Sequence, residues 1–120
     1  MNKYEKQWEL ATFPKLTTLQ GKWRVRIVLG WLLPLHIIDR WWYKRIKSDR
    51  NAYNIIFGKP CLAFNIVGSP GSYYDKRIAK SKEFCYDHFT EFVRQINPDK
   101  MLGQFWVRDK MLGYFIMERK

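Results

Sequence analysis

Residues with the chemistry to hold a metal or form a nucleophile are scarce in this chain. It contains two cysteines and two histidines. Cys61 and Cys85 show no metal-ligand spacing, so a pair of buried thiols is expected rather than a zinc site or a disulfide framework. Glycine-rich phosphate loops, clustered metal ligands and a His-x-Glu motif with paired cysteines are all missing, which disfavours cofactor-dependent chemistry. No cofactor is expected. The opening MNKYEKQWEL carries mixed charges and lacks the apolar core of a signal peptide, so the cytoplasm is the expected compartment. The longest apolar run, residues 27 to 38 (IVLGWLLPLHII), is broken by Gly30, Pro34 and His36 and is too short to span a bilayer. It is expected to be part of the core.

Acidic side chains are also few. Eleven Asp and Glu face twenty-two Lys and Arg, a formal charge of +11, which favours an anionic partner such as nucleic acid, a phospholipid surface or a carboxylate ligand. The basic residues are scattered along the chain, as on a solvated surface. A nucleic-acid groove would need Trp41, Trp42, Tyr73 and Tyr74 outside, beside Arg40, Lys44, Lys76 and Arg77. The motifs of the common RNA-binding modules are absent, so nucleic acid is disfavoured while a membrane surface stays open.

Aromatic residues, by contrast, are abundant. They make up 18% of the 120 residues and include six Trp, more than the core of one small domain usually needs. Collectively they point to the lining of a cavity.

The hydropathy pattern predicts a mainly β chain of seven or eight antiparallel strands with one or two helices, in a single domain. Residues 1–19 are expected to form an N-terminal helix and lead-in, with Tyr4, Trp8 and Ala11 on one side of the helix as a lid or plug, and residues 20–120 to hold the strands. GKWRVRIVL alternates Trp23, Val25, Ile27 and Leu29 with Lys22, Arg24 and Arg26, a half-buried strand. A bend or short helix follows before WYKRIK resumes as a strand. AYNIIF and CLAFNIV flank a GKP hairpin loop, GSPGS marks a turn, and YYDKRIAK alternates as a strand. Between Lys82 and Ile96, Cys85, Phe89, Phe92, Val93 and Ile96 recur at helical spacing, which predicts an amphipathic helix ended before Pro98.

KMLGQF at 100–105 recurs as KMLGYF at 110–115. No such period extends elsewhere, so the pair is one hairpin rather than a solenoid. A turn centred at Asp109 opposes Gly103 to Phe115 and Phe105 to Gly113, so that each glycine is covered by an aromatic ring. The same register opposes Leu102 to Ile116, Gln104 to Tyr114 and Trp106 to Leu112. Both faces are largely apolar, and these strands are expected to be covered on both sides.

Taken in order, several segments resemble the small lipocalin-like barrels of the GXWXG type and the lipocalin-like domain that accompanies them. Gly21-Lys22-Trp23 is similar to the family's opening motif, with Val25 in place of its second glycine, and Trp42-Tyr43-Lys44-Arg45 resembles its Trp-Tyr segment without the glycine. Tyr74-Asp75, Asp87-His88-Phe89, Leu102-Gly103 and the stretch from Tyr114-Phe115 to Glu118-Arg119 follow its later motifs, with Thr90 where that family has arginine and Arg94 as a substitute. The resemblance spans residues 20–119. It implies that residues 20–120 form a calycin-type, lipocalin-like antiparallel barrel with an apolar cavity, and no agreed reaction.

A barrel of about eight strands encloses room for one small ligand. The expected ligand-binding residues are Trp23, Tyr43, Phe64, Tyr74, Trp106 and Tyr114 for the apolar lining, with Asn65, Arg94 and Gln104 orienting the polar end, including a carboxylate held by arginine. The expected function is binding of an apolar or amphipathic, possibly anionic, small molecule. The alternative is a cofactor-independent cyclase or isomerase that confines its substrate, with Tyr74, Asp75 and His88 as candidate proton donors and acceptors.

Overall fold

The computed structural model describes residues 2–31, 33–68 and 76–120. Eight strands form one closed antiparallel barrel in which every strand pairs with its neighbour in sequence and the last pairs with the first. They are β1 (Gly21–Gly30), β2 (Trp42–Ser48), β3 (Asn51–Ile56), β4 (Lys59–Gly68), β5 (Lys82–Cys85), β6 (Thr90–Asn97), β7 (Lys100–Val107) and β8 (Lys110–Arg119). Helices α1 (Lys3–Leu10) and α2 (Leu16–Leu19) precede the barrel, and a 3₁₀ segment, Leu33–Trp41, joins β1 to β2. No helix among the described residues is long and apolar enough to cross a membrane.

Alternation sets which side chains fill the barrel. Trp23, Val25 and Ile27 of β1 are buried while Arg24 and Arg26 between them are exposed, as the period of two requires. Phe64, Phe84, Val93, Met101, Phe105, Phe115 and Met117 join them in the interior cluster. At one end this core is closed by α2. Trp23 Nε1 donates to Leu19 O at 2.7 Å, and the Arg119 guanidinium lies 4.2 Å from the Trp23 ring while donating to Thr18 O, Gln20 O, Pro98 O and Asp99 Oδ1. One cation thus ties the lead-in, the β6–β7 turn and the last strand together.

A second apolar layer lies outside. Trp8 and Tyr4 of α1 pack on Phe92, Leu102, Tyr114 and Ile116, so α1 covers the outer wall of the barrel rather than its mouth. Arg94 of β6 fastens it there. Its Nη1 donates to Trp8 O at 2.6 Å, its Nε to Ser81 Oγ at 2.9 Å and its Nη2 to Ala79 O at 2.6 Å and to Lys76 O. Burial pushes the Arg94 pKa down to about 10, and the ring of Trp8, 4.2 Å away, supplies a π face to the cation.

The predicted helix over 82–96 is not present. Its residues form β5 and β6, separated by a turn at 86–89. Phe84, Glu91 and Val93 point into the barrel, whereas Phe92 and Arg94 lie under α1 and are equally buried. A strand covered on both faces loses its polar alternation, and what remains can match a helical spacing by coincidence. Lys76–Lys80, expected to end a strand, form turns, and the remainder of that predicted strand falls outside the described residues.

The repeated hairpin has the expected register. Gly103 opposes Phe115, Gln104 opposes Tyr114 and Phe105 opposes Gly113, but a bulge after Phe105 moves Trp106 opposite Met111 instead of Leu112. The glycines serve different contacts. A Cβ on Gly103 would sit 2.0 Å from the Phe115 ring, whereas one on Gly113 would sit 2.2 Å from Leu29 O, on the backbone of β1. Gly103→Ala is therefore expected to cost about 1–3 kcal/mol by overpacking, and under about 1 kcal/mol once Phe115→Leu has cleared the space. Gly113→Ala destabilises with or without a side-chain change nearby. Urea unfolding of the single and double variants measures both.

Candidate functional site

Among the described residues the interior is apolar except beneath the end of the barrel that carries the β1–β2, β3–β4, β5–β6 and β7–β8 connections. There four polar side chains converge. Lys44 shares a strand face with Trp42 and Ile46, Asn54 a face with Ala52, and Glu91 a face with Val93, so the same alternation that buries the apolar residues turns them inward. Tyr86 comes from the β5–β6 turn.

Lys44 and Glu91 are both fully buried and their Nζ and Oε1 lie 2.9 Å apart. The ammonium also donates to Asn54 Oδ1 at 2.7 Å and to the Tyr86 hydroxyl at 2.5 Å, so each of its three N–H bonds has an acceptor. Asn54 Oδ1 accepts a second bond from Trp42 Nε1 at 2.9 Å, and Asn54 Nδ2 donates to Leu62 O at 2.9 Å. The Tyr86 hydroxyl donates to Glu91 Oε1 at 2.6 Å. Rings of Phe64, Tyr86 and Trp42 stand 4.8, 5.3 and 5.7 Å from the Lys44 nitrogen. Phe89 stacks on Tyr86 at 4.3 Å and covers the cluster from the turn.

One atom in this network is left over. Among the described residues Glu91 Oε2 is buried without a hydrogen-bond partner, although a buried carboxylate oxygen is costly to leave unpaired. Burial pushes the Lys44 amine below the usual lysine value despite the attraction of Glu91. Burial, and then the negative charge of Glu91, push the Tyr86 phenol well above its own, so the hydroxyl stays protonated and available as a donor.

The residues expected from sequence fall into separate places. Trp23 and Phe64 are interior, Trp23 at the closed end and Phe64 stacked on Phe84 at 4.8 Å beside Lys44. Tyr43 and Asn65 are on the outer face, the Tyr43 hydroxyl accepting from Lys120 Nζ at 3.1 Å. Arg94, Gln104, Trp106 and Tyr114 are outside the barrel wall, near α1. Gln104 links the last two, donating to the Tyr114 hydroxyl at 3.1 Å and accepting from Trp106 Nε1 at 2.9 Å. These three share with Glu5, Trp8 and Lys76 an open groove of ≈ 280 Å³. His88 is exposed in the β5–β6 turn, and Tyr74 and Asp75 lie outside the described residues. Trp42 and Lys44, which a stacking groove for nucleic acid would need on the surface, are buried inside.

Sequence reasoning passed over Asn54, Tyr86 and Glu91, and read Lys44 only as a surface cation. The available signal was their phase: Lys44 falls between Trp42 and Ile46, and Glu91 between Phe89 and Val93, each on the apolar beat of its strand. Among the described residues no group of three or more His, Cys, Asp or Glu side chains is placed to hold a metal ion, and both cysteines are free thiols.

No family model and no curated protein matches the chain. A solved structure of a protein from Thermomonospora curvata is similar to it in fold, with a TM-score of 0.75 and 18% sequence identity over 97% of this chain and 84% of that one. That likeness carries the architecture alone.

The ion pair yields a stability test. Lys44→Met leaves Glu91 buried without its cation and is expected to cost about 3–5 kcal/mol, whereas the double change Lys44→Met/Glu91→Leu recovers most of that loss. The pH dependence has a definite sign. Because the folded-state pKa of Lys44 lies below its ordinary 10.5, the unfolded chain binds more protons between the two values. Wild-type stability from this group then rises with pH through that window. The deficit of Lys44→Met relative to wild type should widen as pH approaches 10.5, as measured by urea unfolding at neutral and alkaline pH.

Proposed function

We propose that this chain is a calycin-type barrel that binds a small apolar molecule carrying a hydroxyl or amine, with that group donating to Glu91 Oε2. The observation that carries the proposal is the buried carboxylate oxygen that has no partner among the described residues, set in an aromatic enclosure beneath one end of the barrel. Apolar walls with one or two convergent polar groups are the usual make-up of a small-molecule site. The ligand enters where Phe89 and Tyr86 of the β5–β6 turn cover the cluster, and its apolar part packs against Trp42, Phe89 and Phe105. Ring contacts such as Trp42–Phe105 at 6.3 Å already join these residues.

The chemistry of the open atom favours a donor over an anion. Glu91 repels a carboxylate, and Arg94, which was expected to hold one, spends its donors on Ser81 and on backbone carbonyls outside the barrel. The resemblance to the GXWXG-type lipocalin-like barrels supports the apolar cavity and says nothing of the ligand's polar group.

A second reading, a cofactor-independent isomerase or cyclase in the same enclosure, has one observation in its favour. Tyr86 O–H, Glu91 and Lys44 form a continuous hydrogen-bonded chain, with the phenol held protonated by burial, and such a chain can give a proton to a bound substrate and take one back.

Medium-chain primary alcohols and amines, with the fatty acids of equal length for comparison, test the proposal by tryptophan fluorescence and native mass spectrometry. Saturable binding of the alcohol or amine is expected, with the acid weaker by roughly tenfold or more, a difference of about 1.4 kcal/mol. Binding should vanish in Lys44→Met/Glu91→Leu, which keeps the fold but removes the acceptor. Equal binding of acid and alcohol, or survival of binding in the double variant, contradicts the assignment. An unsaturated alcohol recovered unchanged after long incubation counts against the isomerase reading.

A further inference from the structure

Because the strands alternate in direction, the 3₁₀ segment, the β3–β4 turn, the β5–β6 turn and the β7–β8 turn all stand at the end of the barrel above Lys44 and Glu91. Exposed apolar side chains concentrate there. Among the described residues, nine of the thirteen exposed large hydrophobic side chains belong to this end, including Trp31 at 85%, Ile37 at 67% and Phe57 at 59% of full exposure. Single exposed apolar residues are ordinary, but a contiguous rim of them marks an interaction surface. Its members are joined. Phe57 N donates to Trp41 O at 3.1 Å, and the two rings lie 5.3 Å apart, so the β1–β2 and β3–β4 connections present one surface.

The charges interleaved with this rim narrow the partner. Arg40, Lys59, Arg108 and Lys110 are exposed at the same end, against Asp87 and Asp109, and Asp109 already faces Arg77 at 3.7 Å. Asp39 is buried, with its carboxylate 3.4 Å from Ile27 N. The Arg40 guanidinium lies 5.2 Å from the Trp41 ring, a pairing of cation and amphipathic aromatic suited to a boundary between water and hydrocarbon. The whole chain carries +11, so two such rims repel, and a second copy is a poor cover.

We propose that this end of the barrel docks on an anionic phospholipid bilayer. Trp31, Ile37, Trp41 and Phe57 enter the headgroup region while Arg40, Lys59, Arg108 and Lys110 meet the phosphates, the combination of buried apolar area and basic charge that holds peripheral proteins on membranes. Docking stands independently of the ligand assignment. If that assignment also holds, an apolar molecule passes between the bilayer and the Glu91 site without crossing water.

Flotation with phosphatidylcholine vesicles, with and without phosphatidylglycerol, tests this. Wild type is expected to float with the anionic vesicles and to stay behind with the neutral ones, and its binding should fall as salt rises. Trp31→Ser/Ile37→Ser and Arg40→Glu/Arg108→Glu should each lower the partition coefficient roughly tenfold or more. Arg45→Glu/Lys47→Glu, which removes the same charge from the barrel wall, should lower it far less. All three alter exposed positions, and unchanged thermal unfolding verifies that they fold. The proposal is overturned if wild type stays behind with anionic vesicles, if the wall variant loses as much as the rim variants, or if sedimentation equilibrium shows dimers that Trp31→Ser/Ile37→Ser dissolves.

Discussion

A lysine ammonium and a glutamate carboxylate held together without water dominate the design of this barrel. Taking both ions out of water costs several kcal/mol for each, and their attraction repays this only when the remaining donors and acceptors are matched. The surroundings meet most of that demand. Asn54, Tyr86 and Glu91 accept the three N–H bonds of Lys44, Trp42 supports Asn54 from behind, and aromatic faces surround the cation. These partners come from β2, β3, β6 and the β5–β6 turn, so satisfying the pair fixes how the walls of the barrel stand around one another. Among the described residues the demand is met except at Glu91 Oε2, the atom to which the proposed ligand donates.

The two ends of the barrel follow from different chemistry. Arg119 and Trp23 bind α2, the β6–β7 turn and β8 into a plug of cation, ring and carbonyls, which closes that end with bonds internal to the chain. At the other end the connections turn their apolar side chains outward, with basic residues between them. A barrel sealed below and apolar at its rim suits the proposed passage of a hydrophobic ligand through the rim. The buried pair lies just beneath it.

Much of the architecture was legible in the sequence, and the parts that were not share a cause. Alternation in GKWRVRIVL marked β1, and the KMLGQF and KMLGYF copies disclosed both the β7–β8 hairpin and its Gly103–Phe115 contact, because a glycine opposite a ring is a local signal. The β6 strand was not legible, since Arg94 and Phe92 face α1 while Glu91 and Val93 face the interior, and burial on both sides erases the polar beat. The polar cluster escaped for a related reason. Lys44 and Glu91 lie far apart in sequence on strands that are not neighbours, and a charge in a chain of net +11 resembles one more solvated surface group until its strand phase is taken seriously. Gln104 and Tyr114 stand opposed as the hairpin register required, and Trp106 joins them through Gln104. Which face of the sheet they occupied depended on α1, and nothing in the hairpin itself encodes that.

Lys44 stands inside the barrel as a hydrogen-bonded ion paired with Glu91. Nitrogen NMR of protein carrying ¹⁵N-labelled lysine side chains observes that ion itself. One ammonium signal is expected at neutral pH whose protons exchange slowly with water and which disappears in Lys44→Met, while every other lysine exchanges at solvent rates. Fast exchange at all lysines, or a slow signal that survives Lys44→Met, would contradict it.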